Sequence, residues 1–428
     1  MFGWILNAAY VVFLLICSPV LLWRWYALGK YHSGWNQKLW GECPVPSGAT
    51  GPRVWFHAVS VGEVLQLQQV LAQLTQVRPD VQCIVSTTTQ TGYEVARDKL
   101  KIAHVVYFPL DFTWAVRNSI RRLKPDLIVL VELEIWPNFL RSAFQKQIPV
   151  CLINGRLSDR SFAGYHRLKW LLGPLLREFA FVAAQTEEYA TRFAALGVEP
   201  TRVHNTGSIK FDGVQTDRSK PKTRELAQFF GIREGEQIWI AGSTQAPEEA
   251  MVLDIYLKLK QTHPRLRLIL VPRHPERGDE VARLITDRNL PLIRRTKPEP
   301  LPESTAQHVG LLDTVGELGA CWGLADIGFV GGSFGDRGGQ NMLEPAAYGA
   351  AVSVGPNTKN FRAVVDLLVQ GQALHVSRTP EELLQFIDTM LQNPKQGTGM
   401  GERAQKLIAA QQGATARTVQ LIVDQIEK

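Results

Sequence analysis

The stretch DIGFVGGSFGDRGGQNMLEPAAYGAAVSVGP, Asp326 to Pro356, decides how the chain reads. It opens on Ile327 to Val330, an apolar run of the length a buried strand needs. Gly331, Gly332, Gly335, Gly338 and Gly339 follow, so no side chain bars a ligand from the backbone there. Then comes Asn341-Met342-Leu343-Glu344-Pro345. A residue before proline avoids the helical region, and proline suits the first helical position. That predicts Glu344 as the cap of a short helix starting at Pro345. Free N–H groups at its positive end would then face the glycine-lined hollow and suit a phosphate. Glu344 at the rim would accept hydrogen bonds from sugar hydroxyls. Strand, open turn and helix in that order belong at the carboxyl edge of a parallel sheet, where nucleotides bind. The plainer alternative is a loop that only turns the chain; Asn341 and Glu344 at a helix start favour the ligand.

On either side of this stretch, strand-like and helix-like runs alternate. Towards the C-terminal half the strand candidates are Ile238 to Gly242, Leu266 to Val271, Leu292 to Arg294 and His308 to Leu312, with a helix over Glu248 to Gln261. In the N-terminal half they are Val54 to Ser60, Cys83 to Thr87, Val105 to Pro109, Leu127 to Glu132, Val150 to Asn154 and Phe181 to Gln185. Leu67, Val70, Leu71, Leu74 and Val77 recur at helical spacing over Glu63 to Arg78. Each half therefore reads as an open parallel α/β sheet. The polar GVQTDRSKPKT after Asp212 reads as the linker between them. The expected organisation is a first α/β domain over 50–212, a second over 223–400 and a C-terminal helix over 401–428, with a ligand cleft between the two sheets.

Phe2 to Trp23 holds no charged side chain and is about long enough to cross a bilayer. Arg24, Lys30 and Lys38 follow it, with Trp23, Trp25, Tyr26 and Tyr31 at the boundary. Residues 1–30 thus read as a membrane anchor with the bulk of the chain on the cytoplasmic face. A helix lying along the interface is the alternative, because Asn7 and Pro19 interrupt the run. The 47 basic and 40 acidic side chains leave a net charge of +7, too modest for a nucleic-acid groove. Five cysteines lie far apart with no CxxC pair, which excludes a disulfide framework or a zinc cluster. No GxxxxGK[ST], Asp-X-Asp or HExxH occurs, so neither P-loop chemistry nor a metal is expected.

Several strand ends carry chemistry-bearing residues. Glu63 starts a helix after a strand, where the positive helix end keeps a carboxylate ionised and desolvation would restore its basicity. Glu132 and Glu134 lie just past an apolar run, a costly place unless they are paired or functional. Alternation in an extended chain would put both on one side, within reach of Arg156 or Lys210. Lys210, next to the linker, would neutralise a transferring anionic group. In the second half, Pro272-Arg273 suits a bidentate phosphate contact, and Val315-Gly316-Glu317 reads as another helix start with exposed N–H groups.

These motifs together resemble the bacterial Kdo (3-deoxy-D-manno-octulosonic acid) transferases. The resemblance rests on HAVSVGE at 57–63, ELEIWPN at 132–138, NGRLSDRS at 154–161, GSIKFD at 207–212, PRHPER at 272–277, VGE at 315–317, FVGGSF at 329–334, GGQNMLEPAA at 338–347 and GPNTKNFR at 355–362. It implies a glycosyltransferase-B fold of two Rossmann-like domains facing a central cleft. It also implies inverting transfer of Kdo from CMP-Kdo to a lipid A precursor, at the cytoplasmic face of the inner membrane and without a metal or other cofactor. By the same resemblance Glu63 is the general base, and Glu132 (or Glu134) and Lys210 steady the transition state. Pro272, Arg273, Val315, Gly316, Glu317, Asn341, Met342, Leu343 and Glu344 would contact the cytidylate. The alternative is a membrane-associated transferase of the same fold that uses another nucleotide sugar. Gln245, Gln340 and Asn357 stand where that family usually has histidine, and Met342 where proline is common.

Overall fold

The computed structural model describes residues 2–28, 33–46, 51–301 and 304–428. The chain divides into two units, one formed by residues 1–213 and 411–428 and the other by 214–410.

In the first unit seven strands form one parallel sheet. They are β1 (Arg53–His57), β2 (Gln82–Thr87), β3 (His104–Tyr107), β4 (Leu127–Val131), β5 (Val150–Gly155), β6 (Phe181–Ala184) and β7 (Val203–Asn205), in the order β3-β2-β1-β4-β5-β6-β7. Parallel strands are covered on both faces, so Leu127–Val131 is buried at every position. Alternation splits the side chains between two cores. Trp55, Ile128, Leu130 and Leu152 pack on one face; Val54, Phe56, Val129, Val131 and Ile153 pack on the other. The second core is completed by Val419, Ile422 and Val423 of the helix Ala414–Ile426, so the end of the chain returns to the first unit. Asp212 fixes that return by accepting the N–H groups of Gly413 and Thr415.

The second unit repeats the plan. Its strands are β8 (Gln237–Thr244), β9 (Leu266–Pro272), β10 (Leu292–Arg294), β11 (Val309–Leu311), β12 (Ile327–Val330), β13 (Ala351–Val354) and β14 (His375–Val376), in the parallel order β10-β11-β9-β8-β12-β13-β14. The expected linker is only partly a tether. The Arg218 guanidinium donates to the carbonyls of Tyr348 (2.8 Å) and Ala325 (2.8 Å), and Pro221 starts the helix Pro221–Phe229.

At the N-terminal segment the structure lends no support to the expectation of a spanning helix. Phe2–Leu28 is one helix, but among the described residues none is long and apolar enough to cross a membrane. Asn7 and Tyr10 of this helix bind the protein. Asn7 Nδ2 donates to Thr113 Oγ1 (2.8 Å), and Asn7 Oδ1 accepts from Thr113 N (3.1 Å) and Asn138 Nδ2 (3.2 Å). Tyr10 OH donates to Asp111 Oδ2 (2.9 Å), and its ring meets Phe112 edge-on. Trp4, Ile5, Val12, Phe13, Leu15 and Ile16 of the same helix remain exposed. Residues 29–32, which include Lys30 and Tyr31, lie outside the described residues, as do the side chains of Arg24 and Trp25.

Candidate active site

In a doubly wound sheet the ligand crevice lies where the strand order reverses, beyond the carboxyl ends. In the first unit that point lies between β1 and β4. Glu63 follows β1 and Glu132 follows β4, so topology alone puts them side by side.

Glu63 sits in the first turn of the helix Val61–Val77, whose N-cap Ser60 has extended backbone. The pair forms a capping box: Ser60 Oγ accepts from Glu63 N (3.3 Å), and the Glu63 carboxylate reaches back to Ser60 N (3.3 Å). Glu63 Oε2 also accepts from Val59 N (2.8 Å), and Oε1 accepts from Ser60 Oγ (2.7 Å). The side chain is buried, and burial pushes its pKa above the usual carboxylate range. The Ser60 and Val59 hydrogen bonds pull it back, and the charge of Glu132 pushes it up again. The desolvation that base chemistry demands therefore outweighs the helix end.

Glu132 has φ +61°, so the extended alternation expected for Glu132 and Glu134 breaks there. The chain turns, and electrostatic repulsion nonetheless couples Glu63, Glu132 and Glu134. Burial first, then the charge of Glu63, raises Glu134 to about 7, although Trp136 Nε1 donates to its Oε2 (2.8 Å). Lys210 Nζ lies 3.9 Å from Glu132 Oε1, so Lys210 rather than Arg156 is the paired cation. Asn154 seats the lysine: its Oδ1 accepts from Ile209 N (3.3 Å), and its Nδ2 donates to Gln66 Oε1 (2.6 Å) on the Glu63 helix. Asn154 is itself left-handed, at φ +53°. Its motif was visible in the sequence, but its positioning role was not. His57 takes no part: it is fully buried, stacked 3.7 Å from Phe108, and burial lowers its pKa to about 3.

In the second unit the strand order reverses between β8 and β12, and the parallel strands bring every predicted contact to one sheet edge. Pro272 ends β9, and Arg273 is exposed with its N–H on Thr244 O (2.9 Å). Their loop is fixed by Arg277, whose Nη1 reaches the buried Glu249 at 2.7 Å. Val315 is 85% exposed, and Gly316 takes φ +85° with open space where a Cβ would point. Glu317 is not free: Arg295 (2.8 Å) and Lys222 (2.7 Å) pair with it, and they and Thr314 hold its pKa at about 2.

The glycine stretch departs from expectation twice. Its helix is Leu343–Ala347, two residues ahead of the predicted start, with Asn341 Oδ1 accepting from Leu343 N (3.1 Å). Pro345 is tolerated there because first-turn N–H groups have no helical partner to lose. Glu344 therefore lies in the first turn instead of capping it, buried enough to raise its pKa and held by Asn341 Nδ2 at 3.1 Å. Met342 and Leu343 bury their side chains, leaving only backbone for a ligand. Nor are the N–H groups of the glycine turn free. Those of Gly332, Ser333 and Phe334 all point at the carboxylate of Glu248. The three positions where the resembling family usually has histidine gather at this same loop. Gln245 and Gln340 both lie against Gly332, and Asn357 Nδ2 donates to Gly335 O (2.8 Å).

Residues 32–213 match the family model for 3-deoxy-D-manno-octulosonic-acid transferase (kdotransferase). Over 98% of its length the chain is 33% identical to the 3-deoxy-D-manno-octulosonic acid transferase of Haemophilus influenzae, of which it covers 98%. The chain belongs to the Kdo transferase family. Among solved structures, this Kdo transferase is similar to UDP-GlcNAc 2-epimerase from Neisseria meningitidis, with TM-score 0.59, 14% identity, and coverage of 87% of this chain and 100% of that one. It is also similar to MurG of Acinetobacter baumannii, with TM-score 0.57, 16% identity, and coverage of 87% and 99%. At such identity the likeness is one of fold: two Rossmann-like parallel-sheet units, as in the glycosyltransferase-B class.

Proposed function

We propose that this Kdo transferase moves Kdo from CMP-Kdo to a sugar hydroxyl of a lipid A precursor, lipid IVA, with inversion. The observation that carries the catalytic part is the buried, pKa-raised Glu63 at the switch point of the first sheet, in electrostatic contact with Glu132. Glu63 takes the proton of the acceptor hydroxyl as its oxygen bonds to the anomeric carbon, and the bond from that carbon to the cytidylate oxygen breaks. Lys210 neutralises the negative charge in transit, and Glu132 holds Lys210 in place. Arg273 binds the phosphate, and Pro272, the Val315–Glu317 turn and the Asn341–Glu344 turn hold the rest of the cytidylate. The transfer needs no metal, and its rate in excess chelator tests this.

The deciding experiment incubates the purified protein with radiolabelled CMP-Kdo and a tetra-acylated lipid A precursor. Lipid-linked label is expected. Label that stays water-soluble, while a labelled UDP-sugar enters lipid under the same conditions, rejects the proposal for the alternative donor.

We also propose that the chain works on the cytoplasmic face of the inner membrane, with the exposed side of the helix Phe2–Leu28 lying in the lipid interface. Vesicle flotation tests this. Phe13→Glu with Ile16→Glu should release the protein from vesicles, and unchanged flotation would count against the anchor.

A further inference from the structure

Glu248 opens the helix Glu248–Thr262 and is 2% exposed. Its Oε2 accepts from Gln245 N (3.0 Å) and Gly332 N (2.7 Å), and its Oε1 from Ser333 N (2.9 Å) and Phe334 N (3.0 Å). Among the described residues no ion pair involves it. A carboxylate taken out of water without a counter-ion survives only where fixed dipoles replace its hydration, and four converging N–H groups do that. Three consecutive amides around a glycine at φ +64° form a nest of the kind that ordinarily holds a phosphate. Here the protein's own side chain fills it, reaching across the switch point from the end of β8 to the loop after β12.

The loop is pressed against that side chain. A Cβ at Gly331 would lie 2.6 Å from Glu248 Oε2 and 2.6 Å from Thr244 Cα. Gly339 N then closes the loop on Gly332 O (2.8 Å), and the chain runs directly into Asn341 and Glu344. The position of the donor-binding turn is thus relayed from one buried carboxylate.

We infer that Glu248 is a positioning residue for the donor site: it occupies the anion seat of the glycine loop and so presents the Asn341–Glu344 turn to the nucleotide, without touching the nucleotide itself. This rests on the reading that the second unit binds CMP-Kdo. Glu248→Gln keeps the shape of the side chain but turns an NH2 group towards amide donors. In the full-length protein it should weaken CMP binding by calorimetry, and raise KM for the donor, by about tenfold. Turnover at saturating donor should stay within about threefold, because binding energy reassembles the loop. A residue that merely supports the fold would instead lower apparent turnover with the folded fraction and leave KM unchanged. Selective 15N labelling reads the same contact without nucleotide: the amide protons of Gly332, Ser333 and Phe334 should move upfield together. Should Glu248→Gln fold poorly, Glu248→Ala prepared in formate supplies the missing carboxylate to the vacated seat, and removing the formate should weaken CMP binding. Unchanged amide signals, or CMP affinity within twofold of the parent, would overturn the inference. Failure of the parent protein to bind CMP would sink the donor assignment instead, and the amide signals would still report on Glu248.

Discussion

Glu63 and Glu248 occupy the same place in two copies of one plan. Each opens the helix after the strand at which its sheet reverses order, and each is buried and accepts backbone N–H groups. The number and origin of the donors separate them. A carboxylate offers about four lone-pair sites. Four N–H groups fill those of Glu248, three of them from a loop more than eighty residues away. Glu63 receives three donors, all from its own turn, and one of them is a long contact at 3.3 Å. It keeps a lone pair, as the proposed base role requires. Its neighbours differ too: the charge of Glu132 raises the pKa of Glu63, and the charge of Glu63 raises that of Glu134, while Glu248 meets only dipoles. Residue type and position in the fold are therefore not enough to name a base; under the proposed roles, the count of occupied acceptor sites distinguishes reactive carboxylate from scaffold.

The comparison breaks most easily at Glu63. Glu63→Gln should cut turnover by on the order of a hundredfold or more while calorimetry finds CMP affinity nearly intact. Full turnover in that variant would remove the base from the first unit. Lys210→Met is expected to cost less, about thirtyfold in turnover with KM for the donor little changed, because the charge it balances is half-open to solvent. A loss expressed only in KM would make Lys210 a binding residue. In the second unit Arg273→Ala should weaken CMP binding about tenfold and leave turnover at saturation alone. Unchanged affinity would move the phosphate elsewhere along the sheet edge.

Buried strands were legible because parallel sheets write them as continuous apolar runs, as in Leu127–Val131. Three strands were not. β7 and β14 are edge strands of three and two residues, with His204 and His375 half-buried and Asn205 exposed, and without a run to detect. β13 lay inside the stretch that opened the reading, but Ala351-Val-Ser-Val354 is too short and mixed to separate from a loop. Carboxylates just past an apolar run could be picked out because burying charge is costly, and Glu63 and Glu132 do come together. Long-range bonds leave no local trace. Nothing in Pro247-Glu248-Glu249 announces that the first glutamate spans the sheet to the glycine loop while the second binds Arg277. The left-handed backbone of Glu132 and Asn154 was equally hidden, since neither residue is glycine.

The smallest effect belongs to Glu134, and its sign is the test. Burial and the charges of Glu63 and Glu132 raise it from 4.5 to about 7 in the folded chain. Between those two values the folded state holds a proton that the unfolded state has released, so this group's contribution is complete below about pH 4.5 and fades as pH rises towards 7. Glu134→Gln should therefore flatten the fall in melting temperature across that window. Glu134 is still protonated and uncharged where Glu63 ionises, so the same substitution takes no charge from beside the proposed base. The acid limb of kcat/KM should therefore stay in place, whereas removing the Lys210 cation should move it to higher pH. An acid limb that moves to lower pH in Glu134→Gln would show Glu134 charged beside Glu63 and overturn this order of ionisation.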